Sequence, residues 1–365
     1  MAFEGLFIRD YVGETADGKK GTSFTNSPDI VCSGPTLLPD PNVLTDQTQY
    51  DQGLPSARSQ TPQQNNYIYA RGLNTTATAQ TATVFLYYVD TTIVLWPQNW
   101  KKDTISYNGH DTNAIQVSMP ANGLAATETP FSWTPPSSGK HFCLVAWSQI
   151  GASQGDEPDL YSIGTVSNMG TFILDHPNIG WKNTIEVDAE VPSIQQVATI
   201  TGPADGGVFN IGIQCEGLPP GGYIQFNVPG PDAANTINFP KTKIPTSGYA
   251  PTVQVRWPAA YESAITFTYW KEDTEPADGS NIIPIVGSMG ASSDSSEARG
   301  LEQNAVNELI KRAKKEGPNN LTDVHHYGTP RELDEIAKNG MTGELRSVPI
   351  QTIFIVGSVP FNLKK

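Results

Sequence analysis

The feature that most constrains the fold of this chain is the recurrence of short segments in which apolar and polar residues alternate. The alternation is cleanest at residues 223–228, 253–257 and 264–269. Successive side chains of a β-strand point to opposite faces, so a period of two predicts strands with one buried face. Proline, glycine or asparagine separates most of these segments and supplies turns between them. The pattern therefore predicts antiparallel sheets.

The first half carries apolar runs of similar length. The densest run, at residues 79–89, is rich in β-branched and aromatic residues and suits one long central strand. Shorter runs follow at 93–96, 114–119, 131–133, 141–147, 170–174 and 184–187. Short strands at intervals of roughly 10–20 residues favour a sandwich over alternating strands and helices. We predict a mainly β chain with two tandem immunoglobulin-like β-sandwich domains.

Chain length and a pause in the pattern predict where the two domains meet. A chain of 365 residues exceeds the usual size of one hydrophobic core. The strand pattern pauses around Pro192, so we predict a first domain at 1–191 and a second at 193–365.

Within the first domain, residues 35–64 are rich in Pro, Asp, Gln and Ser, and we expect a long loop without helix there.

The C-terminal part has a different pattern. Between residues 295 and 315, apolar residues recur every three or four positions, which predicts an amphipathic helix. Thr329, Pro330 and Glu332 combine an N-cap, a proline at the first helical position and a capping-box glutamate, which predicts a second, short helix. We expect a two-helix insertion at 295–340, inside an excursion at 275–350, before the strand 351–356 returns to the second sheet. A third small α/β unit is the alternative.

The charge balance excludes several functions. Asp and Glu outnumber Lys and Arg by 37 to 23, which gives a net charge of −14. Nucleic-acid binding depends on Lys and Arg contacts to phosphates, so we expect no nucleic-acid partner. No apolar run approaches the roughly 18–20 residues that span a bilayer, so we expect no transmembrane segment.

The N-terminus lacks the basic region and the small-residue cleavage site of a conventional signal peptide. The location of the protein therefore stays unknown, and we expect cytoplasmic synthesis with non-conventional release or assembly outside the cell as options.

No recognisable catalytic or metal-binding motif stands out. Gly151, Ser153 and Gly155 have the spacing of a nucleophile elbow, but no helical pattern follows them directly. Three widely spaced cysteines favour buried free thiols over a disulfide framework or a zinc site. We predict no enzyme activity and no cofactor. The loop carboxylates that leave Ca²⁺ binding as an alternative are Asp40, Asp46, Asp51, Asp156, Glu157 and Asp159.

Several stretches of the first half resemble strands of a known family. They are Ile8-Arg9-Asp10 with residues 27–30, then 66–74 with 82–88, then 131–136 with 139–146, and finally 178–183. Over residues 1–190 the chain resembles the bacterial CARDB-like family of cell-adhesion-related immunoglobulin-like domains. The resemblance implies an immunoglobulin-like fold and a structural or adhesive role, and it transfers no catalytic residue. Residues 193–365 lie outside it.

These features predict a non-enzymatic structural or interaction protein that forms a homo-oligomeric or filamentous assembly. We expect terminal strands and loops to dock on neighbouring copies by edge pairing or insertion. Several of the seven tryptophans must lie in the core, and Trp96 and Trp100, which flank a turn beyond a strand end, are the best candidates for exposed ones. The predicted interface residues are Phe7, Ile8, Arg9, Trp96, Trp100, Ile353, Phe354 and Ile355.

Two other functional classes stay open from the sequence alone. One is a secreted toxin or effector whose β modules bind a receptor. The other is a Ca²⁺-assisted glycan-binding protein in which tryptophan rings stack on sugars. The expected partner is thus a protein, with self-association favoured and a glycan as the alternative.

Overall fold

A computed structural model describes most of the chain. The described residues are 3–16, 25–54, 64–90, 92–136, 142–153, 155–183, 186–188, 192–289, 311–312, 321–333 and 351–364.

The described strands of the first half are β1 Leu6–Phe7, β2 Ile30–Gly34, β3 Asn66–Asn74, β4 Gln80–Asp90, β5 Ile105–Ser106, β6 Ala114–Met119, β7 Leu124–Ala126, β8 Phe131–Trp133, β9 Phe142–Ile150 and β10 Ile179–Asn183. Those of the second half are β11 Glu186–Asp188, β12 Ser193–Thr201, β13 Gly207–Glu216, β14 Tyr223–Val228, β15 Ile237–Lys243, β16 Pro251–Trp257, β17 Glu262–Trp270, β18 Asn281–Met289, β19 Leu321–His326, β20 Gln351–Ser358 and β21 Phe361–Lys364. The α-helices are α1 Gln47–Gln52 and α2 Val166–Asp175, and short 3-10 helices cover Pro41–Thr45, Pro97–Asn99 and Ala233–Asn235.

The first half folds into two sheets that pack face to face. One sheet joins β1, β2, β7 and β8 to the central strand β3, with β5 beside β8, and the other has the order β10-β9-β4-β6. Their facing surfaces bury one cluster that includes Ile8, Ile68, Val84, Phe131 and Leu144. Two antiparallel sheets over a shared core form a β-sandwich, so the predicted mainly β fold class is confirmed.

Strand β4 is buried on both faces. Val84 belongs to the core between the two sheets, whereas Phe85 belongs to an apolar cluster on the opposite face. Helix α2 and segment 93–100 cover that face, where Trp147 contacts Trp100 and Phe172 with ring centroids 6.0 Å apart in each pair. A strand buried on both faces has a continuous apolar sequence, which explains the dense run at 79–89.

The second half also contains two sheets. The smaller one is antiparallel, with the order β12-β17-β14-β15. The larger one has the order β11-β21-β18-β13-β16-β19-β20, and β20 also pairs with β18, so β18, β13, β16, β19 and β20 close into a ring. Ile211, Phe226, Val253 and Phe267 lie in the core of this half. The last long strand therefore returns to the second sheet, as predicted.

One apolar cluster continues across both halves. The Ile93 N–H donates to the Thr199 carbonyl at 2.9 Å, and the Trp96 Nε1–H donates to the Thr201 carbonyl at 2.8 Å. A Cβ at Gly357 would lie 2.3 Å from the Ile93 carbonyl oxygen, so this close approach requires glycine. The two halves are thus joined by packing as well as by the chain.

The boundary at 191–193 stays a prediction. Every strand up to β10 belongs to the first pair of sheets, but β11 already pairs in parallel with β21 of the second half.

Residues 170–174 form part of α2, so the strand predicted there is wrong. The Thr165 side chain accepts a hydrogen bond from the Asn168 N–H at 3.2 Å and caps the helix. Val166, Met169 and Phe172 then bury one face at helical spacing. A run of five mostly apolar residues fits a strand or a buried helix equally well, which is why the sequence misled.

The loop expected at 35–64 contains two short helices. The Asp40 carboxylate accepts from the Asn42 N–H at 3.0 Å, and the Asp46 carboxylate accepts from the Gln49 N–H at 2.9 Å. Aspartate at the N-cap satisfies backbone donors that a helix start leaves unpaired. The aspartates that argued against a helix therefore begin both of them.

The predicted capping box at Thr329 is confirmed. The Thr329 N–H donates to Glu332 Oε2 at 2.6 Å, and the helix begins at Pro330.

The excursion at 275–350 is interrupted by β18 and β19, which the sequence did not predict. The helix predicted at 295–315 lies outside the described residues, except that Lys311 and Arg312 are helical.

A bilayer-spanning helix needs a long apolar stretch, and no helix among the described residues has one.

Candidate interaction surface

The N-terminal residues predicted to dock on a neighbour are buried in the chain's own sandwich. Phe7 pairs with Leu73 of β3 and is 1% exposed, and Ile8 lies in the core between the two sheets. Arg9 is 2% exposed. Phe7 thus belongs to a sheet of the same chain, and all three side chains are buried within that chain.

Trp96 and Trp100, the candidates for exposed tryptophans, are also buried, so this choice is wrong. Trp96 is 0% exposed and Trp100 is 6% exposed. The Trp100 indole N–H donates to the Leu95 carbonyl at 2.9 Å, and its ring packs on Trp181 with centroids 5.4 Å apart. The turn that separates the two tryptophans folds back over the outer face of β4, which a sequence pattern does not reveal.

The C-terminal interface residues lie in β20. Ile353 and Ile355 are both buried in the core of the second half, and the side chain of Phe354 lies outside the described residues. Strand β20 pairs with β18 on one side and with β19 on the other, so it has no free edge along these residues.

Arg9 belongs to a buried ionic network. The Asp29 carboxylate accepts from Arg9 Nη2 at 2.7 Å, from Arg9 Nε at 3.0 Å and from Arg71 Nε at 3.1 Å. The ring of Tyr50, from α1, lies 3.3 Å from the Arg9 guanidinium carbon. Burial raises the pKa of the Tyr50 hydroxyl and lowers the pKa of Arg71. The network fixes α1 and β2 against β3, which is a structural role.

The acidic loop residues do not gather into one site. Asp40 and Asp46 cap helices, Asp51 accepts from the Gln47 side chain at 2.8 Å, and Asp156 accepts from the Ser153 N–H at 2.9 Å. No group of three or more His, Cys, Asp or Glu side chains with metal-binding geometry occurs among the described residues. Cys32, Cys143 and Cys215 are buried free thiols, as predicted.

Strand β12 lies at one edge of the smaller sheet of the second half, where β17 is its strand partner among the described residues. The Thr199 carbonyl points away from β17 because it accepts from the Ile93 N–H of the first half. Backbone direction alternates along an antiparallel strand, so the N–H and C=O groups of Val197, Gln195 and Ser193 point the same way as those of Thr199. These groups pair with no strand among the described residues.

The open edge is uncharged and its pairing with β17 is regular. Strand β12 contains no charged residue, no proline and no glycine, and its register with β17 is continuous from Ser193 to Thr201. Ser193, Gln195 and Val197 have exposed side chains, and Val197 is 57% exposed.

The opposite edge of the same sheet is built differently. Strand β15 carries Pro240, Lys241 and Lys243, and its pairing with β14 is interrupted by a register shift. Proline, lysine and irregular pairing are the usual means by which edge strands avoid pairing with other chains. The sheet therefore has one protected edge and one edge that lacks all three protections.

Comparisons with known proteins give distant structural neighbours. The CBD12 structure from CALX1.2 has 10% sequence identity and covers 82% of this chain and 92% of its own, with a TM-score of 0.15. Collagen adhesin (CNA) from S. aureus has 10% identity and covers 74% of this chain and 88% of its own, with a TM-score of 0.18. These TM-scores are low, so the fold assignment is based on the sheets themselves.

No protein-family model matches the chain, and no curated protein is similar to it in sequence. The resemblance of residues 1–190 to the CARDB-like family stays a prediction.

Proposed function

We propose that this chain is a non-enzymatic interaction protein that self-associates by antiparallel pairing of the β12 edge. The observation that carries the proposal is the contrast between the two edges of the four-stranded sheet. One edge has the protections that natural sheets use against pairing, and the other presents neutral, extended backbone. Edge pairing adds main-chain hydrogen bonds and needs no pocket.

The chain already uses this edge once. Residues 92–93 of the first half lie parallel to β12 at Thr199 and donate a hydrogen bond to it. They occupy only the C-terminal end of the strand, so Ser193, Gln195 and Val197 remain available for a second strand.

A second copy of β12 fits this edge better than an unrelated charged strand. Antiparallel pairing around a twofold axis at Gln195 brings Ser193 of one copy opposite Val197 of the other, so the same surface serves both partners. Two chains of net charge −14 repel each other, and a contact through an uncharged strand adds no like-charge pair.

The contact is short and therefore weak. Cross-strand pairs contribute about 0.2–1 kcal/mol each, so a five-residue edge supports a reversible, concentration-dependent dimer. Further contacts at other surfaces are needed to extend such dimers into a larger assembly.

Light scattering coupled to size-exclusion chromatography tests this proposal over a range of protein concentrations. We expect the weight-average mass of the wild-type chain to rise with concentration and that of Val197→Lys to stay at the monomer value, because a charge on the edge opposes pairing. Thr266→Lys is the matched control. Thr266 is the cross-strand neighbour of Val197 on β17, which is an interior strand, so this variant should still associate. A wild-type chain that stays monomeric at every concentration contradicts the proposal.

A further inference from the structure

A second feature of the molecule is an open groove between the two halves. The groove has a volume of about 880 Å³. One wall is the N-terminal turn of α2, with Thr165, Ser167 and Asn168, and the other wall comes from loops and strand ends of the second half, including Asp205 and Arg256. Its size lies within the range typical of small-molecule sites.

Several polar groups of the groove are already engaged within the protein. Thr165 Oγ1 accepts from the Asn168 N–H and lies 3.1 Å from Ser167 Oγ. The Asp232 carboxylate accepts from the Asn235 N–H at 3.0 Å, and Asn235 Oδ1 accepts from the Arg256 N–H at 2.9 Å. These hydrogen bonds shape the two walls.

Three other side chains in the groove have no such engagement. The carboxamide of Asn168, the carboxylate of Asp205 and the guanidinium of Arg256 make no side-chain hydrogen bond or ion pair with any described residue. All three are exposed, so they are available to a ligand. Together they offer donors, acceptors and both signs of charge within one concave surface.

The charged and polar side chains of the groove determine the ligand class. Two carboxylates, Asp205 and Asp232, and one guanidinium, Arg256, line the groove, so it disfavours an anion, and the overall charge of −14 acts in the same direction. A hydroxyl group both donates and accepts, so a ligand with several hydroxyls can bond to Asp205 and to Arg256 at the same time. Pro231, Pro258 and Gly207 supply apolar surface for the C–H groups of such a ligand.

We propose that this groove binds a short neutral saccharide. Hydroxyl oxygens of the sugar accept hydrogen bonds from Arg256 and Asn168, and a hydroxyl donates to Asp205. The ligand contacts both halves of the chain. This site needs no metal ion and does not involve β12, so it is independent of self-association.

Isothermal titration calorimetry with purified full-length protein tests the site. The probes are maltotriose, cellotriose, mannotriose and triacetylchitotriose, with triglycine as a zwitterionic probe of similar length. We expect at least one trisaccharide to bind, and we expect Arg256→Ala and Asp205→Ala each to weaken that binding by about tenfold or more, the loss typical of a hydrogen bond to a charged group. EDTA should leave the affinity unchanged.

Lys241→Ala serves as the matched control because Lys241 is an exposed charge of the same half that does not line the groove. Its affinity should equal that of the wild-type chain, and circular dichroism confirms that each variant is folded. The proposal is overturned if no trisaccharide binds at about 10 mM. Binding of triglycine alone, or saccharide binding that survives both groove substitutions, also overturns it.

Discussion

At the scale of single residues, Asp29 holds together the buried ionic network of the first sandwich. Its carboxylate is fully buried and forms ion pairs with both Arg9 and Arg71. Asp29→Asn removes the carboxylate that pairs with both buried guanidinium groups and leaves Glu14 as the carboxylate that still acts on Arg9. We expect the free energy of unfolding to fall by about 3–5 kcal/mol, measured by urea unfolding followed by circular dichroism.

The exposed ion pair between Lys101 and Asp90 provides the control for that measurement. Its nitrogen–oxygen distance is 3.0 Å, and the two side chains are 47% and 39% exposed. Exposed pairs contribute up to about 1 kcal/mol, so Asp90→Asn should change stability far less than Asp29→Asn. Equal losses in the two variants would show that the buried ion pairs contribute no more to the free energy of unfolding than the exposed pair does.

His326 makes stability depend on pH. The side chain is 7% exposed, and burial lowers its pKa, while Glu332 acts in the opposite direction. The folded pKa therefore lies below the unfolded value of about 6.5, so the unfolded chain binds more protons as the pH falls through that value. The free energy of unfolding should decrease from about pH 7.5 to about pH 5.5.

His326→Gln should reduce that decrease, and His110→Gln, a change at an exposed histidine, should not. Urea unfolding midpoints at the two pH values provide the comparison. The same pH dependence in wild type and His326→Gln would rule out His326 as its source.

At the scale of elements, the sequence predicts well those structures that depend on nearby residues. The capping box at Thr329 and the alternation in β14 and β17 are local signals, and both are found in the structure. Residues 170–174 carry no signal that separates a strand from a buried helix, although the Thr165 cap five residues earlier would have helped.

Strand β18 shows where the sequence signal is weakest. It contains Pro284 and pairs with three different strands, β13, β20 and β21. Proline within an apolar run argues against a central strand, so pattern reasoning misses it.

The open edge of β12 could not be predicted either. Alternation at residues 196–200 predicts a strand, but whether that strand is central or at an edge depends on partners distant in the sequence. In the structure its one described strand partner is β17, and the first half covers only its C-terminal end. The groove could not be predicted for the same reason, because Asn168 and Arg256 come from different halves of the chain.

At the scale of the whole molecule, the shared core couples the two halves. Trp96 is fully buried and donates a hydrogen bond to Thr201 across the junction. We expect Trp96→Ala to lower the free energy of unfolding by about 3–5 kcal/mol and to split thermal unfolding into two transitions in differential scanning calorimetry.

Trp133→Ala is the matched control for this effect. Trp133 is equally buried but packs only in the core of the first sandwich. Trp133→Ala should lower the free energy of unfolding, but the number of thermal transitions should stay the same as in the wild type. A single cooperative transition in Trp96→Ala would contradict the coupling.

The most direct test of the β12 account is amide hydrogen exchange measured at low and high protein concentration. The amides of Gln195 and Val197 point away from β17, so they should exchange quickly in the monomer and slow down as the concentration rises. The amides of Gln196 and Ala198 face β17 and should be protected at every concentration. Exchange rates of Gln195 and Val197 that do not change with concentration would contradict self-association through this edge.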